Sequence, residues 1–407
     1  MTSHFKARFG DRTTPPHIFT LILMASMTAM TMNMFLPSLP SMAVYFDADY
    51  RLMQLSVALF LAVNAALQVI IGPISDRYGR RPVLLWGFGL FLLATLGCIA
   101  APSAEIFLAF RMAQAAIVVA MVLSRAIVRD MYEQDAAASM IGYVTMGMAV
   151  VPMLTPALGG MLDEWFGWKA NFWAFFLAGG GVMALIWLDA GETNTHKSTS
   201  FAAQFADWPE LLRSPRFWGY SATAAFSSGA FFAYLGGAPF VGSDVFGLTP
   251  TNLGILFGAP AIGYIAGNGI TGRFARRAGI NAMIVVGAVI AWAGVLISLV
   301  LFWIGMGSAW SFFGSMIFVG LGNGLVLPNA TAGILSVRPQ LAGTASGLGG
   351  ALMIGGGAAL SALAGSLLHP DTGPYPLLWI MLIVTFLGIL SILAVIARER
   401  RLADAQP

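Results

Sequence analysis

Charge is what this sequence has least of. Only 10% of its 407 residues are Asp, Glu, Lys or Arg, while 58% are apolar and the mean hydropathy is +0.80. A water-soluble domain carries about 25% charged residues, so a soluble enzyme or binding module is excluded and most of the surface must face something other than water. The single cysteine, Cys98, lies in an apolar run, which rules out a disulfide framework. His4, His17, His196 and His369 are scattered, with no His-x3-His or Cys-x2-Cys pair, so neither a metal site nor a cofactor is expected. Lysine occurs only as Lys6, Lys169 and Lys197, never in a Gly-x4-Gly-Lys context, and ATP hydrolysis is not expected. The formal charge of +3 is spread over many connections, which argues against a nucleic-acid partner.

What is abundant is apolar length. Segments long enough to cross a bilayer lie at residues 17–36, 52–72, 82–101, 105–127, 138–160 and 170–189, then 217–240, 250–271, 281–303, 309–333, 341–367 and 375–397. The first has no small-residue cleavage site and follows Lys6, Arg8 and Arg12, so it is expected to be an uncleaved anchor with a cytoplasmic amino terminus. In that orientation eighteen of the 21 Lys and Arg, Arg125 and Arg129 among them, count as cytoplasmic; Arg51 and Lys169 fall outside, and Arg111 falls inside the fourth span. Positive charge is retained on the cytoplasmic side, so both termini are expected there.

Residues 1–189 and 217–407 each hold six spans, joined by a polar linker at 190–216. A shift of 196 positions superposes Ile74 on Ile270, Arg77 on Arg273, Arg80 on Arg276 and Arg81 on Arg277, the mark of an internal duplication. The expected fold is an all-α membrane protein of twelve transmembrane helices in two pseudo-symmetric six-helix bundles. Parallel six-span repeats build one large class of secondary transporter, with the substrate site at the midplane between the halves.

Several motifs sharpen this expectation. Gly72-Pro-Ile-Ser-Asp76-Arg77-Tyr-Gly79-Arg80-Arg81-Pro, between spans 2 and 3, resembles the loop signature of the major facilitator superfamily. Arg111-Met-Ala-Gln114 in span 4 is similar to the Arg-x-x-Gln motif of its twelve-span drug:proton antiporters, and Arg125-Ala-Ile-Val-Arg129-Asp130 to the stretch that follows it in the bicyclomycin/chloramphenicol-resistance type of exporter. Pro152-Met-Leu-Thr-Pro156-Ala-Leu-Gly159-Gly160 in span 5 looks like the antiporter motif, with Thr155-Pro156 in place of Gly-Pro. Asn33-Met-Phe-Leu-Pro37-Ser-Leu-Pro40 sits where the subfamily has Asp-x-x-x-Pro-x-x-Pro. The resemblance covers nearly the whole chain and implies efflux of small molecules by alternating access.

Each motif also has a physical reading. In the loop signature, glycines permit a tight turn, while Asp76 is suited to cap a neighbouring helix start and to pair with arginines, latching the halves in one state. Pro152, Pro156, Gly159 and Gly160 weaken span 5 and allow close approach, as in a bendable gating helix. Arg111 costs at least about 2.5 kcal/mol inside a span unless it finds a partner or water, so it is expected to face the central cavity and to bind substrate or respond to the proton state. The alternatives for it are snorkelling or bonding to backbone carbonyls.

All 18 Asp and Glu map to loops, tails or span ends. A proton-coupled carrier ordinarily needs a buried titratable group, and the family's position for it holds Asn33, an amide. Proton uptake by Asp130 or Asp76, solute exchange, or downhill transport then compete, as does a site turned toward neutral or anionic solutes beside Arg111. The remaining lining is sketched from Met30, Met34 and Phe35 in span 1, Asn64 and Gln68 in span 2, Phe231, Phe232 and Tyr234 in span 7, and Asn323 and Asn329 in span 10. Plain helix packing explains such residues equally well. The expected partners are a small-molecule substrate, the lipid bilayer and, where coupling is retained, protons. The chain is expected to act as a monomer in a bacterial inner membrane. No nucleophile–base–acid set lies within the spans, so it is not expected to be an enzyme.

Overall fold

A computed structural model of the chain describes residues 8–132, 134–194, 208–338 and 342–404. Twelve long helices dominate them, with no strand among the described residues. They are α1 (Ile18–Tyr45), α2 (Tyr50–Tyr78), α3 (Arg80–Ala100), α4 (Ala104–Met131), α5 (Gln134–Phe166) and α6 (Lys169–Asp189). After a short helix at Trp208–Leu212 come α7 (Pro215–Val245), α8 (Pro250–Ala278), α9 (Ile280–Trp303), α10 (Ala309–Ser336), α11 (Ala342–Leu367) and α12 (Tyr375–Asp404). Eleven have the length and apolarity to cross a membrane. The twelfth, α5, has 33 residues, about 50 Å of helix at 1.5 Å per residue.

Helix is the physical consequence of these runs, because backbone groups in hydrocarbon must be satisfied within their own segment. Local signals set where several of the rods start. Asp49, Ser103, Ser214 and Thr249 cap α2, α4, α7 and α8 by accepting from a backbone N–H two or three residues on, and Ser308 and Ser311 form a reciprocal capping box on α10. Four rods carry a local irregularity. A 3-10 turn at Leu36–Ser38 follows from Pro37 in α1, another interrupts α4 at Ala115–Ile117, α7 ends in a π turn at Val241–Val245, and α8 breaks at Gly258.

The odd-numbered helices start at the end that carries residues 8–18 and 399–404, here the terminal end; the even-numbered ones return from the opposite, far end. Exposed tryptophans mark both ends: Trp86, Trp187 and Trp218 at the terminal end, Trp165, Trp303 and Trp310 at the far end. Between them, exposed Leu93, Leu177, Val286, Ile297 and Leu393 offer an apolar flank suited to lipid.

The helices of the repeat match, but in a different register from the one the arginines suggest. α2 spans Tyr50–Tyr78 and closes on Gly79 (φ 101°); α8 spans Pro250–Ala278 and closes on Gly279 (φ 80°), an offset of 200 residues. In the 196-residue alignment Arg80 and Arg81 open α3, whereas Arg276 and Arg277 lie in the last turn of α8, on the other side of the helix break. Arginine identity misled because every such connection is basic. The glycine in the left-handed region is what fixes the register, since that backbone strains any side chain.

Core packing is asymmetric along the bundle. One apolar cluster joins the first helix set to the far half of the second, running through Phe35, Phe60, Tyr234, Leu253 and Leu377. At the terminal end the second set keeps a separate core of Phe217, Ile284, Ile334, Ile392 and Val395. The apolar cluster shared by the two sets lies in the far half of the second, whose terminal half has its own.

Candidate substrate cleft and its gates

Arg111 does not face open water. It is 1% exposed, its guanidinium lies 4.2 Å from the ring centroids of both Phe35 and Phe60, Nη2 donates to the Thr31 carbonyl at 2.8 Å, and Nη1 donates to Gln114 Oε1. Gln114 passes the chain on to Thr95 Oγ1 at 2.8 Å, and Arg111 Nε is left without a partner. No carboxylate pairs with it among the described residues. The expectation of a cavity-facing guanidinium is corrected: the carbonyl alternative is realised, with aromatic faces added. Two desolvated cation–π contacts at about 2 kcal/mol each offset an insertion cost of about 3 kcal/mol, which is why no anion is required.

Asn33, 4% exposed, sits two residues beyond the Thr31 carbonyl that Arg111 uses. Its Nδ2 returns to the Ala29 carbonyl of its own helix at 2.8 Å. Asn64 is buried and accepts from Gln68 at 2.7 Å, one turn on, and Gln68 packs against Gly350 of α11. Met34 is buried and Met30 half-buried in the same region of α1. In the second set, Tyr234 is fully buried: its ring stacks on Phe257 at 4.8 Å and its hydroxyl donates to the Phe257 carbonyl at 3.0 Å, at the break in α8. Phe231 is half-buried and stacks on Tyr234. Asn323 is buried and accepts from Ser227, while Asn329 is buried and donates to the Leu325 carbonyl. The structure therefore places Tyr234, Asn323 and Asn329 in the interior of the second set with their polar atoms engaged.

The far end is closed by backbone contact between the sets. Gly160 of α5 lies against the Pro250 carbonyl of α8 and, reciprocally, Gly254 of α8 lies against the Pro156 carbonyl of α5; a Cβ at either glycine would strike that oxygen. Glu164 accepts from the Thr251 N–H at 3.3 Å at the same seam. Gly159 faces the other way, against the Met34 carbonyl of α1. α5 runs unbroken through Pro152 and Pro156, so its small residues serve close packing in this state. Beside the seam Tyr50 donates to the Gly236 carbonyl at 2.9 Å, Gln54 Nε2 to Ser361 Oγ at 3.0 Å, and Arg51 meets His369.

At the terminal end the loop signature is built into a clip that joins α2, α3 and α4 with residues 192–194. Arg80, 8% exposed, pairs with Asp76 one turn back and with Asp130 of α4 at 2.9 Å, and its Nη1 also donates to Ser75. The start of α3 is capped by Glu192, which accepts from the N–H groups of Arg80 (2.8 Å) and Arg81 (3.2 Å). The capping carboxylate of α3 comes from 112 residues away. Thr193 donates to Asp130 at 3.1 Å and Asn194 to the Asp76 carbonyl at 2.9 Å, so residues 192–194 stitch three helix ends together. Gly79 makes the turn, whereas Gly72 lies within α2 beside open space and takes no part in it. Arg77 stacks on Tyr78, and Arg81 stacks on Trp187 and donates to its carbonyl.

Sequence reasoning passed over one residue here. Arg125, counted among the connection charges, lies inside α4, six residues before its end, and is exposed there. The signal was available, since 125 falls within the fourth apolar segment.

Two six-helix sets sealed at one end around a partly accessible interior define a membrane carrier frame. Residues 21–361 match the profile of the Major Facilitator Superfamily, and the chain belongs to that family. It is 30% identical over 337 residues to the chloramphenicol resistance protein of Pseudomonas aeruginosa, covering 80% of this chain and 79% of that one. It is 28% identical to multidrug resistance protein D of Escherichia coli, covering 96% and 98%. The crystal structure of a peptide transporter bound to sulfate shares the fold, with a TM-score of 0.75 at 13% identity over 98% of this chain and 97% of that one.

Proposed function

We propose that the chain is an alternating-access exporter of small, moderately hydrophobic compounds, neutral to anionic in charge, in a bacterial inner membrane. In this reading residues 1–189 and 217–407 are the moving bundles and 190–216 the linker. The terminal end, with both termini, is cytoplasmic, in keeping with its excess of arginine. The protein works as a monomer and catalyses no covalent reaction. The observation that carries the reading is the unequal closure of the frame: shared core and backbone seams at the far end, separate cores at the terminal end. The two resistance-named relatives support outward transport of drug-like molecules.

Asn33, Arg111, Met30, Met34, Asn64, Gln68 and Phe231 belong, in this proposal, to the region that rearranges around solute, with Tyr234 and Asn323 as its supporting wall. Gly72, Asp76, Arg77, Gly79, Arg80, Arg81 and Asp130 form the cytoplasmic gate, and Pro152, Pro156, Gly159 and Gly160 the hinge and seam of α5. Every described Asp and Glu lies at a helix end or in a connection, and Asn33 cannot titrate. Export therefore proceeds without a proton held on a mid-membrane carboxylate.

The test is chloramphenicol transport in proteoliposomes with and without an imposed pH gradient. The expected result is transport by the natural protein that the gradient leaves unchanged, and a gradient response gained in Asn33→Asp. Uphill transport driven by the gradient in the natural protein and abolished by Asp130→Asn would overturn the uncoupled reading. Unchanged transport in Arg111→Ala would remove Arg111 from the mechanism.

A further inference from the structure

We infer that Asp163, near the far end of α5, is a proton-binding site: as a neutral acid it completes a hydrogen-bonded chain that ties α5 to α1 behind the far seam.

The surroundings of Asp163 carry the argument. It is 7% exposed, three residues before the end of α5, and no cation pairs with it among the described residues. Two hydroxyls of α1 face its carboxyl group, Ser41 at 2.8 Å and Ser38. Asn171 of α6, fully buried, spends its amide protons on Ser38 Oγ (2.9 Å) and the Gly159 carbonyl (3.1 Å) and has none to offer.

Proton counting separates the two forms of the acid. Ser41 has one hydroxyl proton and two acceptors within reach, Asp163 Oδ2 and the Ser38 carbonyl at 2.9 Å. A carboxylate claims that proton and leaves the carbonyl without it. A carboxylic acid donates to Ser41 instead, Ser41 donates to the carbonyl, and no proton is shared. Burial away from any cation further penalises the charged form.

Neighbouring charges leave this balance in place. Glu164, next on α5, is a second acid, and it accepts from the Thr251 N–H. The Lys169 ammonium at the start of α6 lies over the ring of Tyr45 on α1, 5.0 Å from its centroid, and over Trp168. α1 has no charged side chain, and α8 carries Tyr264 but none between Pro250 and Gly272. α4 meets α5 through Val118–Met131, toward the terminal end.

An ionised Asp163 has to be hydrated, which parts α5 from α1 and loosens the seam that Gly160 and Glu164 make with α8. A proton held more tightly in the closed state favours closure at low pH, and the advantage is lost as pH rises through the closed-state pKa. The proton returns to the far side it came from, so it sets how long that end stays shut and supplies no driving force. The gating consequence rests on the carrier reading above; the proton site does not.

The experiment has two arms on the purified full-length protein. Infrared difference spectra between acid and alkaline pH should show a carboxylic-acid C=O band that Asp163→Asn removes and that Ser41→Ala, which keeps the acid but not its partner, shifts. Spin labels on cysteines replacing Trp165 and Asn252, both exposed beside the seam, should in a Cys98→Ser background move apart as pH rises. With Asp163→Asn added they should stay close at every pH. A spectrum that neither substitution changes overturns the inference, as does a label separation that ignores pH or an undiminished pH response in Asp163→Asn. Failure of chloramphenicol transport with the band present would sink the carrier reading and leave the proton site standing.

Discussion

Arg111 illustrates how a charge is kept inside a membrane protein without a counter-ion. Phe35 and Phe60 offer their negative faces at 4.2 Å on either side, and only a planar cation fills that slot. Lysine would keep the charge but lose the stacking and the forked hydrogen bonds to Thr31 and Gln114. Arg111→Lys is therefore expected to destabilise the folded protein by about 2 kcal/mol, read as a fall in thermal midpoint in detergent. An unchanged midpoint would show that the sandwich contributes nothing. Both rings came from positions where an apolar residue is unremarkable, so the arginine was legible in the sequence and the slot was not. Asn33 was legible as an amide that cannot titrate, but that this amide turns back onto Ala29 depends on the local path of α1.

Among elements, the connection between α2 and α3 depends on a carboxylate that no local pattern contains. Glu192 satisfies the first N–H groups of α3, and removing a side-chain cap costs about 1 kcal/mol. Glu192→Ala should lower the thermal midpoint and speed proteolysis within 189–194, since Thr193 and Asn194 are held by the same clip. Equal proteolysis rates in the two proteins would contradict this. At the far end, the seam of α5 and α8 tolerates no side chain at Gly254. Gly254→Leu should part the two helices there, and disulfide cross-linking between cysteines placed at Glu164 and Thr251 should fall several-fold. Cross-linking at the unsubstituted rate would mean that the backbone approach is not needed for closure. The prolines and glycines of α5 were visible as a weakened helix; which partner each one faces was not, because Gly159 and Gly160 are adjacent in sequence and point to opposite neighbours.

For the whole molecule, rocking two bundles about a central cleft requires that the ends open in alternation. Cysteines paired across the terminal end should cross-link poorly while the Glu164 and Thr251 pair cross-links well, and conditions that favour one pair should disfavour the other. Both pairs cross-linking fully in the same molecules would end the alternating description.

Length, apolar periodicity and charge asymmetry were enough to set the number of spans and the repeat, because a bilayer admits so few backbone solutions that composition selects among them directly. The register of the repeat, the cap on α3, the burial of Arg111 and the exposure of Arg125 were decided by contacts between residues tens to hundreds of positions apart. A single chain lists its residues without saying which of them meet, and in a bundle of nearly uniform apolar helices it is packing that determines which few polar groups end up enclosed and which are left facing the cleft.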